Sequence, residues 1–336
     1  MTGGCSISRL LLAGWDAVVL ENGRLRVAVL PDKGADIYEL VDLASGVDVL
    51  FKAPWGLLPP GSPPREGSGD IEFVWNYEGG WQELFPNVND ACSVDGSAVP
   101  FHGEAALLPW ETEILHEDAE EVAARFSVRL RSLPFRLERV LRLRRGAPEL
   151  EVEGTVTNEG SERLPFVWGH HCVVGPAFLE AGCRIDVSGG TIVTLDRIWE
   201  DTARLEPGQR STWPEARLRD GGTVDLSEVP GPEAGSHDDL YLGDLADEAI
   251  AVTNPRLGLI FRLRWDASVF RWIILWQPYG GALAPDLAGS YALGVEPWTS
   301  RHCLAESVEA GEATWLEAGE RFSTTLVAST DSARDA

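Results

Sequence analysis

Lysine is scarce in this chain of 336 residues, which contains only Lys33 and Lys52. Schiff-base chemistry needs a lysine amine, so it has few candidates here. Acidic residues outnumber basic ones, and the formal net charge is −25 at pH 7. Nucleic acids and anionic membranes bind clusters of Lys and Arg, whereas the arginines of this sequence are scattered. The charge therefore argues against a nucleic-acid partner and a membrane partner, and favours a solvated, repulsive surface.

Several motifs of known chemistry are also missing from the sequence. No GxSxG motif marks a serine nucleophile, and no GxGxxG or GxxxxGK[ST] loop marks a nucleotide site. The HExxH spacing of many zinc enzymes is absent. The cysteines contain no CxxC pair, a pattern that favours free thiols in a reducing compartment. These five cysteines are Cys5, Cys92, Cys172, Cys183 and Cys303.

No apolar run in the sequence is long enough to cross a membrane as a helix. The apolar patch near the N-terminus is interrupted at residues 14–16 by Gly, Trp and Asp, which makes it a poor signal peptide. Together with the expected free thiols, this pattern leads us to interpret the protein as cytoplasmic. We expect it to be a monomer or a homodimer.

Short runs that alternate apolar and charged residues dominate the rest of the chain. Residues 122–160 alternate apolar side chains with Arg or Glu, as strands do when one face packs on a core and the other meets water. Glu21-Asn22-Gly23 lies between two apolar runs and predicts a hairpin. We therefore predict an all-β protein of large, packed antiparallel sheets with few short helices. It forms a single domain over 1–336, with its core at about 17–328 and a flexible tail at 329–336.

Two stretches depart from the strand pattern. Residues 53–70 are rich in Pro and Gly and predict a long loop, an element that often binds ligands or covers a site. Residues 73–109 mix aromatic residues, glycines and polar residues without the period of a helix or a strand. We interpret this second stretch as an irregular region that builds a site.

The most unusual apolar run spans Leu164–Leu179 and contains two adjacent histidines, His170 and His171, shortly after Trp168. Neighbouring side chains of a strand point to opposite faces, so only one histidine can share a face with Trp168. Counting positions assigns that face to His170. A buried histidine is more often structural than functional, so a functional role depends on other residues reaching the same place.

A few further polar residues occur in apolar or turn settings. Glu296 ends an apolar run, and it is either a core-edge carboxylate held by backbone donors or a base with a tuned pKa. His102 is either a turn residue bonded to nearby backbone or a site residue. The pair His237-Asp238 has the same two interpretations, since both residue types are common in turns and caps.

Five short motifs occur in an order that resembles one known family. They read GGWQELFPN, PFHGEAALLPWE, WGHHCVVGPAFL, DDLYL and GVEPWTS. In this order they resemble the aldose 1-epimerase, or galactose mutarotase-like, superfamily, and the resemblance extends from about residue 22 to about residue 326. It implies a β-supersandwich whose concave sheet face carries a sugar-binding cleft.

The resemblance also implies roles for individual residues. Glu296 matches the family's catalytic base and His171 its general acid, which would act on the anomeric hydroxyl and the ring oxygen of a sugar. A bulge at Gly169 would reconcile His171 with the face of Trp168. Asp239 is an alternative to Asp238. The substrate-binding residues expected on this basis are His102, His170, Asp238, Trp168, Gln82 and Trp298.

The sequence departs from the family after Gly103, where Glu104 and its successors replace an arginine that many relatives carry. This change disfavours a phosphorylated sugar. We therefore expect an enzyme that interconverts the anomers of a free small-molecule carbohydrate without a cofactor. One alternative is a metal-assisted isomerase, lyase or deglycosidase that acts on a modified sugar, with His102, His171 and Glu296 as metal ligands. Another is a carbohydrate-binding protein without catalytic activity.

Overall fold

Antiparallel strands dominate the computed structural model, which describes residues 3–332. The helices of this range are short: α1 (Glu72–Trp75), α2 (Leu304–Ala310) and the 3-10 turns Ala105–Leu107 and Pro232–Ala234. The strands of the same range, in chain order, are β1 Ser6–Leu12, β2 Trp15–Glu21, β3 Leu25–Leu30, β4 Asp36–Asp42, β5 Val47–Asp48, β6 Trp81–Leu84, β7 Cys92–Val94, β8 Ser97–Val99, β9 Glu111–Glu117, β10 Glu121–Arg129, β11 Phe135–Arg144, β12 Glu149–Asn158, β13 Leu164–Phe166, β14 Gly169–Val174, β15 Arg184–Val187, β16 Thr191–Thr194, β17 Arg210–Thr212, β18 Glu215–Arg217, β19 Thr223–Asp225, β20 Ser236–Gly243, β21 Ala249–Asn254, β22 Leu259–Arg264, β23 Trp272–Tyr279, β24 Leu293–Trp298, β25 Thr314–Leu316 and β26 Arg321–Ser332.

Two large sheets contain most of these strands. The first has twelve strands, ordered β1-β2-β3-β4-β6-β14-β24-β23-β20-β16-β17, with β5 paired to β4. The second has eight strands, ordered β15-β21-β22-β26-β12-β11-β10-β9. Three short two-stranded ribbons, β13-β25, β18-β19 and β7-β8, accompany them. The prediction of an all-β protein with large antiparallel sheets is confirmed.

The alternation along β11 shows why the eight-stranded sheet forms. Every second residue is buried, and all of these except Arg139 are apolar, whereas the intervening residues are mostly Arg and Glu and are partly or fully exposed. On the outer face the charges pair across strands, as Arg125 does with Glu113 at 2.9 Å. Such exposed pairs add little stability, so burial of the apolar face holds this sheet in place.

The central strands of the twelve-stranded sheet are covered on both faces. Every residue of β6, β14 and β24 is buried, because one face packs on the core between the sheets and the other lies beneath loops. The core face includes large aromatic side chains such as Phe85, Phe135 and Phe166, whose ring centroids lie 5.4–5.9 Å apart. These three buried strands therefore form the base, or floor, of the space that the loops enclose.

The ends of the chain differ from the sequence-based boundaries. Strand β1 pairs with β2 along its whole length, so ordered structure begins well before the predicted core at residue 17. Strand β26 continues to Ser332, and Thr330 pairs with Phe261 of β22. Residues 329–332 are thus part of the sheet rather than of a flexible tail. Residues 333–336 of the predicted tail lie outside the described residues.

Local predictions made at turns are confirmed. Glu21-Asn22-Gly23 joins β2 to β3 as an antiparallel hairpin, and the Asn22 side chain accepts the backbone N–H of Leu25 at 2.7 Å. Residues 53–70 form a long connection that contains neither helix nor strand residues apart from turns. Neither α-helix of the described chain approaches the length that a bilayer-spanning helix needs.

Candidate active site

His171 and Glu296 lie side by side on neighbouring strands of the twelve-stranded sheet. The pairing of β14 with β24 matches Gly169 with Trp298 and Val173 with Gly294, a register that sets His171 opposite Glu296. Nε2 of His171 lies 3.6 Å from Oε1 of Glu296. Gly294 leaves room for this carboxylate, since a Cβ there would approach Oε1 to 2.4 Å.

His170 and Trp168 lie on the opposite face of the sheet, within the core. The β14 register with β6 is continuous through His170 and His171, so a bulge at Gly169 is not needed. Nδ1 of His170 accepts the indole N–H of Trp81 at 3.3 Å, and Trp168 donates its indole N–H to Glu83 at 2.6 Å. Both residues are fully buried. The expectation that His170 and Trp168 bind substrate is therefore corrected, because strand alternation turns both away from His171.

The same alternation separates Asp238 from Asp239 on β20. Asp238 accepts the backbone N–H of Arg204 at 2.6 Å and its Nε–H at 2.7 Å, which fixes the carboxylate on the face opposite to Asp239. Asp239 pairs in register with Trp276 of β23 and lines the cavity above Glu296. The alternative residue Asp239, rather than Asp238, is thus the aspartate that the structure brings to the site.

Gln82 is the register neighbour of His171 on β6 and shares its face of the sheet, but its side chain does not line the cavity. Its amide donates to Asp36 at 3.1 Å and to the carbonyl of Gly79 at 2.7 Å. Burial raises the pKa of Asp36 to about 7, against the opposing effects of Lys33 and of the Gln82 hydrogen bond. The residue supports the wall and lies outside the cavity lining, which corrects its expected role in substrate binding.

His102 enters the site from the irregular region predicted at 73–109. Its backbone adopts the left-handed conformation, with φ of 59°, which is uncommon outside glycine. Its Nδ1 accepts the backbone N–H of Asn89 at 2.9 Å, so the proton of the neutral ring lies on Nε2. The ring centroid is 5.5 Å from that of Trp298 and 6.1 Å from that of His171. The structure therefore brings His102, His171, Glu296 and Trp298 together.

One cavity encloses these groups, and aromatic side chains form much of its walls. Sequence reasoning missed several of these residues, since Trp276 and Tyr241 occur in ordinary strand patterns. Phe73 and Tyr77, by contrast, lie in the irregular region that the sequence singled out. The lining residues are Phe73, Val74, Tyr77, Asn89, Asp90, Phe101, His102, His171, Leu195, Arg197, Trp199, Asp239, Leu240, Tyr241, Ile274, Trp276, Leu287, Glu296 and Trp298.

Burial dominates the electrostatics of the cavity and favours neutral side chains. It lowers the pKa of His171 to about 3 and holds the pKa of His102 well below its usual range. Burial, with the nearby carboxylate of Asp239, raises the pKa of Glu296 well above its usual range. Burial also raises the pKa of Asp239 to about 6. A neutral imidazole with a carboxylic acid contains the same single proton as an imidazolium with a carboxylate. Burial therefore favours the form of the pair in which the shared proton lies on the carboxyl group of Glu296.

The alternative function requires His102, His171 and Glu296 to act as metal ligands. Within residues 3–332, no group of three or more His, Cys, Asp or Glu side chains is arranged to hold a metal ion. His102, His171 and Glu296 share the cavity without forming such a group. Their arrangement suits proton transfer between two groups better than it suits coordination of one ion.

The two sheets and the cavity between the loops define a protein with the galactose mutarotase-like β-sandwich fold. A galactose mutarotase-like protein from Clostridium acetobutylicum is 15% identical, with a TM-score of 0.66 over 98% of this chain and 99% of that one. Slr1438 from Synechocystis sp. PCC 6803 is 18% identical, with a TM-score of 0.68 over 96% and 99% of the two chains. A Klebsiella pneumoniae protein provisionally assigned as an aldose 1-epimerase is 16% identical, with a TM-score of 0.75 over 99% and 85%.

These structural similarities show a shared fold and confirm the resemblance first drawn from the five motifs. The chain belongs to the DUF4432 family, a domain of unknown function whose model matches residues 12–329. No curated protein matches the sequence.

Proposed function

We propose that this protein is an aldose 1-epimerase-like enzyme that interconverts the anomers of a free, non-phosphorylated sugar. The observation that carries the proposal is the buried pair of His171 and Glu296, 3.6 Å apart at the floor of an aromatic cavity. Ring opening needs one group that removes a proton and another that delivers one, at the two oxygens bonded to the anomeric carbon. Two proton-transfer groups on adjacent strands match that requirement.

In the forward step, Glu296 removes the proton of the anomeric hydroxyl while His171 donates a proton to the ring oxygen. The bond between C1 and the ring oxygen breaks, and a carbonyl forms at C1. After rotation about the C1–C2 bond, the former ring hydroxyl attacks the other carbonyl face. His171 then takes back its proton and Glu296 returns the other, so the pair ends as it began.

This cycle starts from the form in which the shared proton lies on His171. Burial by itself favours the neutral form of the pair, in which the proton lies on Glu296. The hydroxyl groups of a bound sugar solvate the carboxylate and the imidazolium, which lowers the free-energy cost of the charged form. Because the two forms contain the same number of protons, changing from one to the other needs no net proton uptake or release.

Other cavity residues supply contacts for the sugar. The Nε2–H of His102 is a donor whose direction is fixed by the hydrogen bond between Nδ1 and Asn89. Asp239 is an acceptor on β20, two strands away from Glu296 on β24. Trp298 and Trp276 offer indole faces to the apolar face of a sugar ring. Arg197 lines the cavity and lies 3.0 Å from Asp90. The carboxylate of Asp90 offsets the positive charge of Arg197, and this disfavours the binding of a sugar phosphate.

The decisive experiment follows a freshly dissolved pure anomer by NMR, with and without protein, across a panel of aldoses. We expect faster equilibration with wild type, and a loss of about 100-fold or more in Glu296→Gln and in His171→Asn. The control is His116→Asn, because His116 lies half-exposed on β9 and pairs with Asp118. A chelator such as EDTA is expected to leave the rate unchanged.

Two results would contradict the proposal. Equilibration of every aldose at the uncatalysed rate would exclude mutarotation, and sugar binding that persists in Glu296→Gln would then indicate a carbohydrate-binding protein. Loss of activity with EDTA, restored by one divalent metal, would instead indicate metal-assisted chemistry.

A further inference from the structure

Two short hydrogen bonds form a chain behind Trp276, one of the cavity walls. The indole Nε1–H donates to Nε2 of His237 at 2.6 Å, and Nδ1 of the same ring lies 2.7 Å from Oε2 of Glu200. The central residue, His237, is 1% exposed, whereas Trp276 and Glu200 at the two ends are partly exposed. Because Nε2 accepts the indole proton, the neutral ring carries its own proton on Nδ1 and donates it to the carboxylate.

Glu200 also connects two loops at the rim of the cavity. Its carboxylate accepts the backbone N–H groups of Leu283 and Ala284, each at 3.1 Å. Glu200 follows Trp199 directly in the chain, and the loop that contains Leu283 continues to Leu287, which lines the cavity. One carboxylate therefore links both loops to His237 and, through it, to the indole of Trp276.

Trp276 lies against the catalytic floor. Its ring centroid is 5.8 Å from that of His171 and 6.0 Å from that of Tyr77. The bond to His237 fixes the nitrogen edge of the indole. Because rotation of the ring would break this hydrogen bond, the bond favours a single orientation of the indole beside His171.

We propose that His237 is a positioning residue that fixes Trp276 as the wall on which the sugar ring stacks, and that Glu200 orients the His237 ring. The inference rests on the proposed function only for the identity of the ligand. His237 reaches neither the sugar nor the reacting atoms, and it acts through the indole. Its loss leaves His171 and Glu296 in place, so sugar binding weakens while the proton-transfer step is largely kept.

Two substitutions separate the two links of the chain. His237→Gln keeps an oxygen acceptor near the position of Nε2 for Trp276 but loses the donor to Glu200. His237→Asn keeps a donor near the position of Nδ1 but loses the acceptor. We expect His237→Asn to raise KM about tenfold, the change that corresponds to one lost hydrogen bond, with kcat within about threefold of wild type. We expect His237→Gln to restore KM to within about threefold, and His116→Gln serves as the control.

A second readout does not depend on activity. In protein labelled with 15N-tryptophan, the Trp276 indole resonance is the one that Trp276→Phe removes. We expect this proton to resonate far downfield in wild type, because it donates to an imidazole nitrogen at 2.6 Å. We expect it to move upfield in His237→Asn, to stay downfield in His237→Gln, and to shift when a bound sugar is added to wild type.

The outcomes distinguish this inference from the proposed function. An indole shift that is the same in His237→Asn and wild type, or that ignores added sugar, overturns the positioning role. A loss of kcat at unchanged KM also overturns it. If both His237 variants fail to fold, the wild-type resonance and its response to sugar still decide the question. If wild type equilibrates no aldose, the proposed function is wrong, while a downfield indole that responds to bound sugar still supports the positioning role.

Discussion

The buried ion pair between Arg139 and Glu83 lies on the core side of the twelve-stranded sheet. Its removal should change the free energy of unfolding by an amount that can be calculated from its burial. Arg139 Nη1 lies 3.0 Å from Glu83 Oε2, and their side chains are 1% and 0% exposed. Trp168 donates to the other carboxylate oxygen at 2.6 Å, and Arg139 also donates to the carbonyl of Ala35. Arg139→Met would remove the positive charge and keep most of the side-chain volume.

The expected cost follows from the burial of the pair. Removing one partner from a buried ion pair costs about 3–5 kcal/mol, because the remaining charge is left in the interior without its counterion. The double variant Glu83→Gln/Arg139→Met has no net charge at this position, and the amide oxygen of Gln can still accept from Trp168. We expect it to be about 2 kcal/mol more stable than Arg139→Met alone.

Equilibrium unfolding in urea measures these differences, with Arg125→Met as the control. Arg125 pairs with Glu113 at the surface, where water screens the charges, so a much smaller change is expected. The reasoning fails if Arg139→Met is no more costly than Arg125→Met. It also fails if the double variant is as unstable as the single one.

Two further predictions concern pH and the turn that carries His102. Because the folded pKa of His171 is about 3 and the unfolded value is about 6.5, its stabilising contribution is full above about pH 6.5. That contribution is lost as the pH falls toward 3. Between pH 6.5 and 4, the unfolding free energy of His171→Asn should therefore fall less steeply than that of wild type, by up to about 1.4 kcal/mol per pH unit. Curves of unfolding free energy against pH that run parallel for the two proteins would contradict this. Gly103→Ala should destabilise by more than about 2 kcal/mol, because φ is +74° and a Cβ would lie 2.2 Å from the carbonyl oxygen of Phe85. Gly46→Ala, also at positive φ but with open space around its Cβ, should cost about 1 kcal/mol, and equal costs for the two variants would refute the steric argument.

Much of the architecture could be predicted from the sequence, because the relevant signals are local. The alternating run at 122–160 predicted strands of a half-exposed sheet, and Glu21-Asn22-Gly23 predicted the first hairpin. Burial of every second side chain requires this pattern wherever a sheet has one wet face. The resemblance of the five motifs to a known family predicted His102, His171 and Glu296 as site residues.

Only the tertiary structure decided which member of each adjacent pair faces the cavity. Alternation states that His170 and His171, or Asp238 and Asp239, point to opposite faces, but it does not say which face encloses the site. The pairing of β14 with β24 and of β20 with β23 supplies that information, and it depends on residues more than a hundred positions apart for the first pair. It also assigned Trp168 to the core.

The aromatic walls illustrate the same division. The stretch at 73–109 was recognised as irregular because its polar and aromatic residues have no period, and it contributes Phe73, Tyr77 and His102 to the cavity. Trp276, in contrast, belongs to an ordinary apolar strand, and its partner His237 was interpreted only as a turn or site residue. A single sequence determines that such side chains are available and which strand each occupies. Their convergence on one cavity is decided by packing between distant strands, where sheet register and loop closure set the final distances.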